Sequence, residues 1–260
     1  LLTTPVVDSL RQEWPQAQID VLLYEETRDM LAAHPAIGTI YGIDRKWKQL
    51  GTLKHLQKEW QLLCALRNQH YHLVINLADQ WRSAIVTRFT GAPVRLGFAF
   101  NKRNSAFWRF CHTDLVSVDG HKSLHTVEQN LSILGPLPVA PQPAVTMAYA
   151  AEDWDHARQR LTQTGVGDSY IVIQPTSRWF FKCWSEDKMA QTISALQQEG
   201  HTVVLTAGPD KKELAMIDRI LAASPKTGVV SLAGQLTLRQ LASLIDHACL
   251  FIGVDSVPMH

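Results

Sequence analysis

The segment Tyr170-Ile171-Val172-Ile173-Gln174 predicts a buried strand, because its apolar side chains follow one another without the alternation of a half-exposed strand. Thr202–Thr206 and Leu250–Gly253 repeat this pattern. Stretches with helical spacing lie between the strands, and they run from Ser185 to Glu199, from Lys211 to Ala223 and from Thr237 to Ala248. Strands that alternate with amphipathic helices indicate parallel α/β layers.

The first half of the chain shows the same alternation in weaker form. Ile19–Leu23 and Leu73–Leu77 predict strands, and Val94–Gly97 predicts a further short one. Between the first two, Leu53–Leu66 predicts a helix, because its apolar residues share one face. Those residues are Leu53, Leu56, Trp60, Leu63 and Leu66.

Proline concentrates between Gly135 and Pro143, where four of the chain's 12 prolines stand. Such a segment resists helix and sheet and behaves as a semi-stiff connector. The 260 residues are enough for two ordinary domains. We therefore predict an N-terminal domain over residues 1–137, a linker over 138–150 and a C-terminal domain over 151–260.

Composition narrows the class of protein. Hydrophobic residues at 46% and charged residues at 19% are typical of a globular chain rather than a disordered one, and a net charge of +1 favours no particular partner. Four cysteines without a C-x-x-C pair are typical of a reduced, cytoplasmic chain. The sequence has no apolar run near the roughly 18 residues that span a bilayer, and its start does not resemble a signal peptide.

The strand that ends at Gln174 continues into the turn Pro175–Trp184. In open α/β sheets, ligands bind beyond the carboxyl ends of the strands. The hydroxyls of Thr176 and Ser177 can hold a phosphate there, and Lys182 can neutralise it. The alternative, weighted equally, is a surface loop with a solvated lysine and a packed Trp184.

A second turn, Gly253–His260, also follows a predicted strand. Ser256 is placed to cap the next helix, whose free N–H groups would attract an anion. A simple capped helix start is the plainer interpretation.

The third turn at a strand end is Ala207–Glu213. Glu213 can accept hydrogen bonds from ribose hydroxyls. A glutamate in a first helical turn more often complements the helix dipole, so the residues alone favour that role.

His125 and Glu128 lie three residues apart on a predicted helix, so they share a face. They either line a cleft between the domains or form a hydrogen-bond cluster with no ligand. The sequence leaves both interpretations open.

Basic and aromatic residues interleave between Gln80 and Thr113, a stretch without acidic residues. Such a surface suits a membrane interface, a phosphorylated glycolipid or nucleic acid. The alternative is a solvated basic face over an aromatic core, and contact with an anionic glycolipid is slightly favoured. The bases are Arg82, Arg88, Arg95, Lys102, Arg103 and Arg109, and the aromatics are Trp81, Phe89, Phe98, Phe100, Phe107, Trp108 and Phe110.

Several nucleotide and catalytic motifs are missing from the sequence. It has no G-x-G-x-x-G, no P-loop and no G-x-S-x-G elbow. Nothing suggests a metal-bound diphosphate, so a metal-independent mechanism is the default.

Taken together and in this order, the motifs resemble those of bacterial lipopolysaccharide core heptosyltransferases, glycosyltransferase family 9. The resemblance spans essentially the whole chain and is carried by Leu1–Pro5, Tyr170–Trp184, Ala207–Glu213, Leu232–Gly234 and Gly253–His260. It is closest to the heptosyltransferase III type. The segments typical of that type are Leu22–Tyr24, Asn76–Trp81, Phe181–Trp184 and Leu244–Ala248.

The resemblance implies a GT-B architecture, in which two Rossmann-like domains face each other across a cleft. The N-terminal domain would bind the acceptor, and the C-terminal domain would bind the donor, ADP-heptose. The implied reaction is an inverting, metal-independent transfer of heptose to a heptose of the lipopolysaccharide inner core. No cofactor and no nucleic acid are implied, and contact with the inner face of the cytoplasmic membrane is an expectation.

The resemblance also assigns site residues. Thr176, Ser177 and Lys182 match the donor-phosphate segment, and Lys182 would stabilise the leaving diphosphate. Glu213 matches the acidic residue that holds the nucleoside sugar. The remaining donor-binding positions are Leu236 beside the adenine, Asp255 at the heptose, Ser256 near the phosphate, and His260.

The sequence departs from the family pattern in two places. The general-base Asp is expected upstream of Leu1, and Val257 stands where the family usually has Gly or Ala, so that its branched side chain would crowd the donor. Both ends are expected to be fragment boundaries, because the chain lacks an initiator Met and stops where a helix should begin. The 260 residues alone are therefore predicted to be inactive, and robust turnover by them would refute this.

Two other functions fit the same architecture. A nucleotide-sugar epimerase would change the sugar nucleotide without an acceptor. A two-lobed sugar-binding protein would bind a bare sugar, whereas the turns with Lys182 and Asp255 favour a nucleotide ligand.

Overall fold

The computed structural model describes residues 1–103, 105–225 and 227–260. They form two compact units. Unit 1 comprises Leu1–Arg28 and Pro35–Thr146, and unit 2 comprises Asp29–His34 and Met147–His260. No helix in the described part of the chain is long and apolar enough to cross a membrane.

Among the described residues, unit 1 carries five short strands in two parallel sheets. β1 (Val21–Tyr24) pairs with β2 (Ile40–Ile43), and β4 (Val94–Ala99) lies between β3 (Leu73–Asn76) and β5 (Asp114–Ser117). The α-helices are α1 (Thr4–Glu13), α2 (Thr52–Arg67), α3 (Trp81–Phe89), α4 (Ala106–Cys111) and α5 (Thr126–Leu131). Short 3-10 helices cover Arg45–Gln49, Asn101–Arg103, His121–Ser123 and Ser132–Leu134, and another, Glu25–Met30, crosses into unit 2.

Unit 2 contains a four-stranded parallel sheet in the order β8-β7-β6-β9. Its strands are β6 (Ile171–Gln174), β7 (Val203–Leu205), β8 (Val229–Ser231) and β9 (Leu250–Gly253). Its α-helices are α6 (Ala151–Gln163), α7 (Glu186–Gln198), α8 (Lys211–Ala223) and α9 (Leu238–Asp246), with 3-10 helices at Phe180–Lys182 and Val257–Met259. The predicted α/β class is therefore confirmed.

Strand β6 is buried on both faces. Val172 packs into the cluster that holds Leu161 and Leu244, on the side of α6 and α9. Ile171 and Ile173 pack into a second cluster, on the side of α7 and α8. Both faces need apolar side chains, which explains the uninterrupted apolar run of the strand.

The structure corrects several details predicted from the sequence. The first strand covers Val21–Tyr24 instead of Ile19–Leu23. Helix α2 forms, but its buried side is Leu62 and Leu66, whereas Leu53, Leu56 and Trp60 on the predicted apolar face are exposed. The helix predicted from Ser185 to Glu199 covers Glu186–Gln198, and within the described residues Ser185 stands at its N-cap without a side-chain capping hydrogen bond.

Gly97 in β4 gives space to a buried histidine. The ring of His112 lies against Gly97 so closely that a Cβ at residue 97 would be 2.6 Å from Nε2. His112 Nδ1 lies 2.8 Å from the Trp108 carbonyl oxygen, and Nε2 lies 3.1 Å from Asn76 Nδ2. A neutral ring protonated at Nδ1 satisfies both contacts, and burial lowers the pKa of His112.

We expect Gly97→Ala to lower the free energy of unfolding by about 1–3 kcal/mol, because the added methyl group overlaps the packed His112 ring. Denaturant unfolding measures this change. Gly167→Ala is the matched control, because nothing lies within 4 Å of its added Cβ. Equal unfolding midpoints for Gly97→Ala and wild type would show that His112 is not held against residue 97.

Candidate functional site

The carboxyl ends of all four strands of unit 2 meet at one edge of the sheet, because the strands are parallel. The chain passes from β6 to β7 and β8 on one side and then returns to place β9 on the other side of β6. The strand order therefore reverses between β6 and β9. In open α/β sheets this reversal opens a crevice where ligands bind.

Three predicted site residues meet at the junction of β6 and β9. The Lys182 ammonium donates to Asp255 Oδ2 at 2.7 Å, and the buried Ser177 hydroxyl donates to the Asp255 carbonyl oxygen at 3.2 Å. The hydrogen bond from Lys182 holds the pKa of the Asp255 carboxyl below its usual range. The side chains of Lys182 and Asp255 are 30% and 60% exposed, so a ligand can reach both charges.

A second pair joins the loop after β6 to the first turn of α8, beside the loop after β7. The Thr176 hydroxyl donates to Glu213 Oε2 at 2.7 Å, and the Gly208 amide donates to the same oxygen at 3.3 Å. Both donors therefore use the same carboxylate oxygen of Glu213, Oε2. Glu213 thus has contacts that a residue serving only the helix dipole does not need.

The sequence did not predict the buried hydrogen bonds that hold Thr176 in place beside Glu213. Gln174 Nε2 donates to Thr176 Oγ1 at 3.0 Å, and Gln174 Oε1 accepts from Thr206 Oγ1 at 2.7 Å. All three side chains are buried. The available signal was a glutamine that ends an otherwise apolar strand, since a buried amide requires partners.

The remaining predicted donor residues lie at the same edge in different settings. His260 Nε2 is 3.9 Å from Asp255 Oδ1. Ser256 was expected to cap a helix, but its hydroxyl donates to the Val254 carbonyl oxygen at 3.1 Å, and a short 3-10 helix that begins at Val257 follows. Leu236 follows β8 and packs, partly buried, against the core cluster on the α6 side.

The other features predicted from the sequence either form local hydrogen bonds or lie in the core or on the surface. His125 and Glu128 form a capping box at the start of α5, in which Glu128 Oε2 accepts from the His125 amide at 2.9 Å. In the basic aromatic stretch, Phe98 and Trp108 are buried, whereas Trp81, Phe107 and Phe110 are exposed. Trp184, expected to be packed in the plain-loop alternative, is 54% exposed.

The described residues contain no group of three or more His, Cys, Asp or Glu side chains that could hold a metal ion. The groups that the β6–β9 junction offers are a cation, hydroxyls and a carboxylate. With Glu213 beside the next loop, this set suits a ligand that joins a phosphate to sugar hydroxyls. The parallel sheet and its site are typical of nucleotide-binding α/β proteins of the Rossmann-like class.

Comparison with known proteins narrows this class. The family model described as glycosyltransferase family 9 (heptosyltransferase) matches residues 59–260. A lipopolysaccharide heptosyltransferase 3 of Escherichia coli is 44% identical over 261 residues, which cover 100% of this chain and 75% of that relative. The chain therefore belongs to glycosyltransferase family 9, the heptosyltransferases.

Solved structures show the same fold. A family 9 glycosyl transferase from Veillonella parvula matches with a TM-score of 0.81 at 18% identity, over 97% of this chain and 71% of that one. An E. coli heptosyltransferase solved with ADP-2-deoxy-2-fluoro heptose matches with a TM-score of 0.74 at 20% identity, over 98% of this chain and 78% of that one. These relatives have the GT-B fold, and the family match gives no support to the epimerase or the sugar-binding alternative.

Proposed function

We propose that the protein transfers a heptose from ADP-heptose to a heptose of the lipopolysaccharide inner core, with inversion and without a metal ion. The observation that carries the proposal is the cluster of Ser177, Lys182 and Asp255 at the β6–β9 junction. Lys182 supplies a cation for the leaving diphosphate, and Asp255 supplies a carboxylate for sugar hydroxyls. The relatives' names supply the heptose and the lipopolysaccharide.

The transfer develops charge at two places. As an acceptor hydroxyl attacks the anomeric carbon, the bond from that carbon to the phosphate oxygen breaks and ADP leaves with an additional negative charge. Lys182 neutralises that charge, and its pairing with Asp255 fixes the ammonium in place beforehand. The hydroxyl proton passes to a carboxylate base.

The donor is proposed to lie along the carboxyl edge of the unit 2 sheet. Glu213 binds the ribose through Oε1, and Leu236 packs beside the adenine on the β8 side. Thr176 and Ser177 lie at the phosphates, with Ser256 nearby. Asp255 and His260 reach the heptose on the β9 side, and unit 1 takes the acceptor.

The test is the dependence of ADP release on the acceptor. With the full-length protein, ADP-heptose and a heptose-terminated core oligosaccharide, we expect ADP and an oligosaccharide that has gained one heptose, detected by mass spectrometry. Without the acceptor, only slow hydrolysis is expected. Isomerisation of the sugar nucleotide in the absence of acceptor would instead establish an epimerase.

A surface of unit 1 supports proposed contact with the cytoplasmic face of the membrane. This basic aromatic face comprises Trp60, Arg67, Arg88, Phe89 and Phe110. The Trp60 and Phe89 rings meet edge to face at 5.6 Å, and the guanidinium groups of Arg67 and Arg88 lie 5.7 and 4.8 Å from the centroids of Phe89 and Phe110. Trp60 and Phe110 remain 59% and 60% exposed, which suits insertion among anionic headgroups.

We expect the double variant Arg67→Glu/Arg88→Glu to bind phosphatidylglycerol-containing vesicles at least about tenfold more weakly, because each arginine contributes about 1 kcal/mol at an anionic surface. Sedimentation with vesicles measures the bound fraction. Arg158→Glu, an exposed site on α6 of unit 2, is the control and should bind like the wild type. Equal binding by all three proteins would assign the face no part in membrane contact.

A further inference from the structure

The turn between Ser177 and Lys182 exposes large aromatic side chains at the edge of the proposed donor site. Trp179 is 62% exposed and Phe181 is 80% exposed. Their ring centroids lie 6.0 Å apart, with the planes inclined by 49°. Exposed apolar surface beside polar groups is typical of a binding site, because contact between apolar surface and water is unfavourable.

Hydrogen bonds hold this aromatic turn in place. The Trp179 amide donates to Ser177 Oγ at 3.3 Å, and the Lys182 amide donates to the Trp179 carbonyl oxygen at 2.9 Å. Ser177 in turn donates to the Asp255 carbonyl oxygen. The aromatic turn is therefore fixed to the same junction that holds the Lys182–Asp255 pair.

The order of the strands gives the position of the aromatic turn along the donor. Leu236 follows β8, Glu213 is joined to the loop after β7, and Asp255 follows β9. A donor whose adenosine lies at Leu236 and Glu213 places its diphosphate over β6 and its sugar toward β9. The aromatic turn leads directly into Lys182, whose partner Asp255 is assigned to the sugar, so it stands where the diphosphate joins the sugar on that path.

We propose that Trp179 and Phe181 form an aromatic subsite for a heptopyranose ring. A pyranose has one face of C–H groups that packs on aromatic rings and a rim of hydroxyls that can reach the neighbouring polar groups. The inference rests on the proposed function and adds a specificity-determining element to it. The bound ring belongs either to the donor or to the terminal heptose of the acceptor.

The experiment titrates Trp179→Ala and Phe181→Ala with ADP, ADP-heptose and a heptose-terminated core oligosaccharide by calorimetry. We expect ADP to bind as in the wild type, and binding of at least one heptose-containing ligand to weaken by about five- to tenfold. Weaker binding of ADP-heptose assigns the subsite to the donor ring, and weaker binding of the oligosaccharide assigns it to the acceptor ring. Thermal unfolding should not change, because both side chains lie mainly in solvent.

The matched control is Leu250→Ala, which removes an apolar side chain that is 48% exposed at the amino end of β9, on the opposite edge of the unit 2 sheet. Unchanged affinity for both heptose ligands in the two turn variants, with normal wild-type binding, would overturn the subsite alone. Loss of ADP binding by the turn variants would also overturn it. Weaker binding to vesicles, with unchanged affinity for both heptose ligands, would overturn it too. Failure of the wild type to bind ADP-heptose would overturn the proposed function and the subsite together.

Discussion

Lys182→Ala is expected to bind ADP-heptose at least about tenfold more weakly than the wild type, a loss of about 1.4 kcal/mol. The ammonium lies 2.7 Å from Asp255 Oδ2 at the point where the strand order of unit 2 reverses. Removal of the cation leaves the Asp255 carboxylate alone beside the proposed diphosphate. The variant therefore loses an attraction and gains a repulsion.

Calorimetry with ADP-heptose and with ADP measures this effect. Lys188→Ala removes an exposed lysine of α7 and serves as the control for a change in net charge. We also expect the pKa of Asp255 to rise toward its ordinary value in Lys182→Ala, because the hydrogen bond from Lys182 is the main cause of its lowering. Undiminished binding by Lys182→Ala would remove the lysine from the donor site.

Glu213→Ala is expected to weaken the binding of ADP and of ADP-heptose equally, by about tenfold or more. A hydrogen bond to a charged group contributes about 1.5–3 kcal/mol, and the variant also takes one partner from the buried Thr176 hydroxyl. Because Glu213 is assigned to the ribose, the loss should not depend on the heptose. The same calorimetric titrations give both affinities.

Two further variants separate this role of Glu213 from a helix-dipole effect. Glu213→Gln keeps a carbonyl oxygen for Thr176 and Gly208 and should retain more of the affinity than Glu213→Ala. Glu152→Ala removes a glutamate from the first turn of α6 and should leave donor binding unchanged. If Glu213→Ala loses stability but binds ADP normally, Glu213 is a structural residue.

Much of unit 2 was predictable from local patterns. Helix α8 covers the predicted range Lys211–Ala223, because a periodic apolar face coincides with a good N-cap, Asp210, whose side chain accepts from the Lys212 amide. Gly200 follows the predicted helix that ends at Glu199, and it has the positive φ of 86° that is common just after a helix. Strand β6 was visible because burial on both faces favours the consecutive apolar residues Ile171–Ile173.

The contacts of the site were less predictable, because they join loops that are far apart in the chain. Lys182 and Asp255 are separated by 73 residues, and Ser177 and Asp255 by 78. Their common position follows from the order of β6 and β9, which local spacing does not determine. The prediction for the apolar face of α2 failed for a related reason. Helical spacing shows that a face is apolar, but it does not show what covers that face.

The most direct test of the account is calorimetric titration of the wild-type protein with ADP-heptose and, in parallel, with other nucleotide sugars such as UDP-N-acetylglucosamine. We expect saturable binding of ADP-heptose in preference to the others. Binding of another nucleotide sugar, with none of ADP-heptose, would leave the fold intact and contradict the proposed donor.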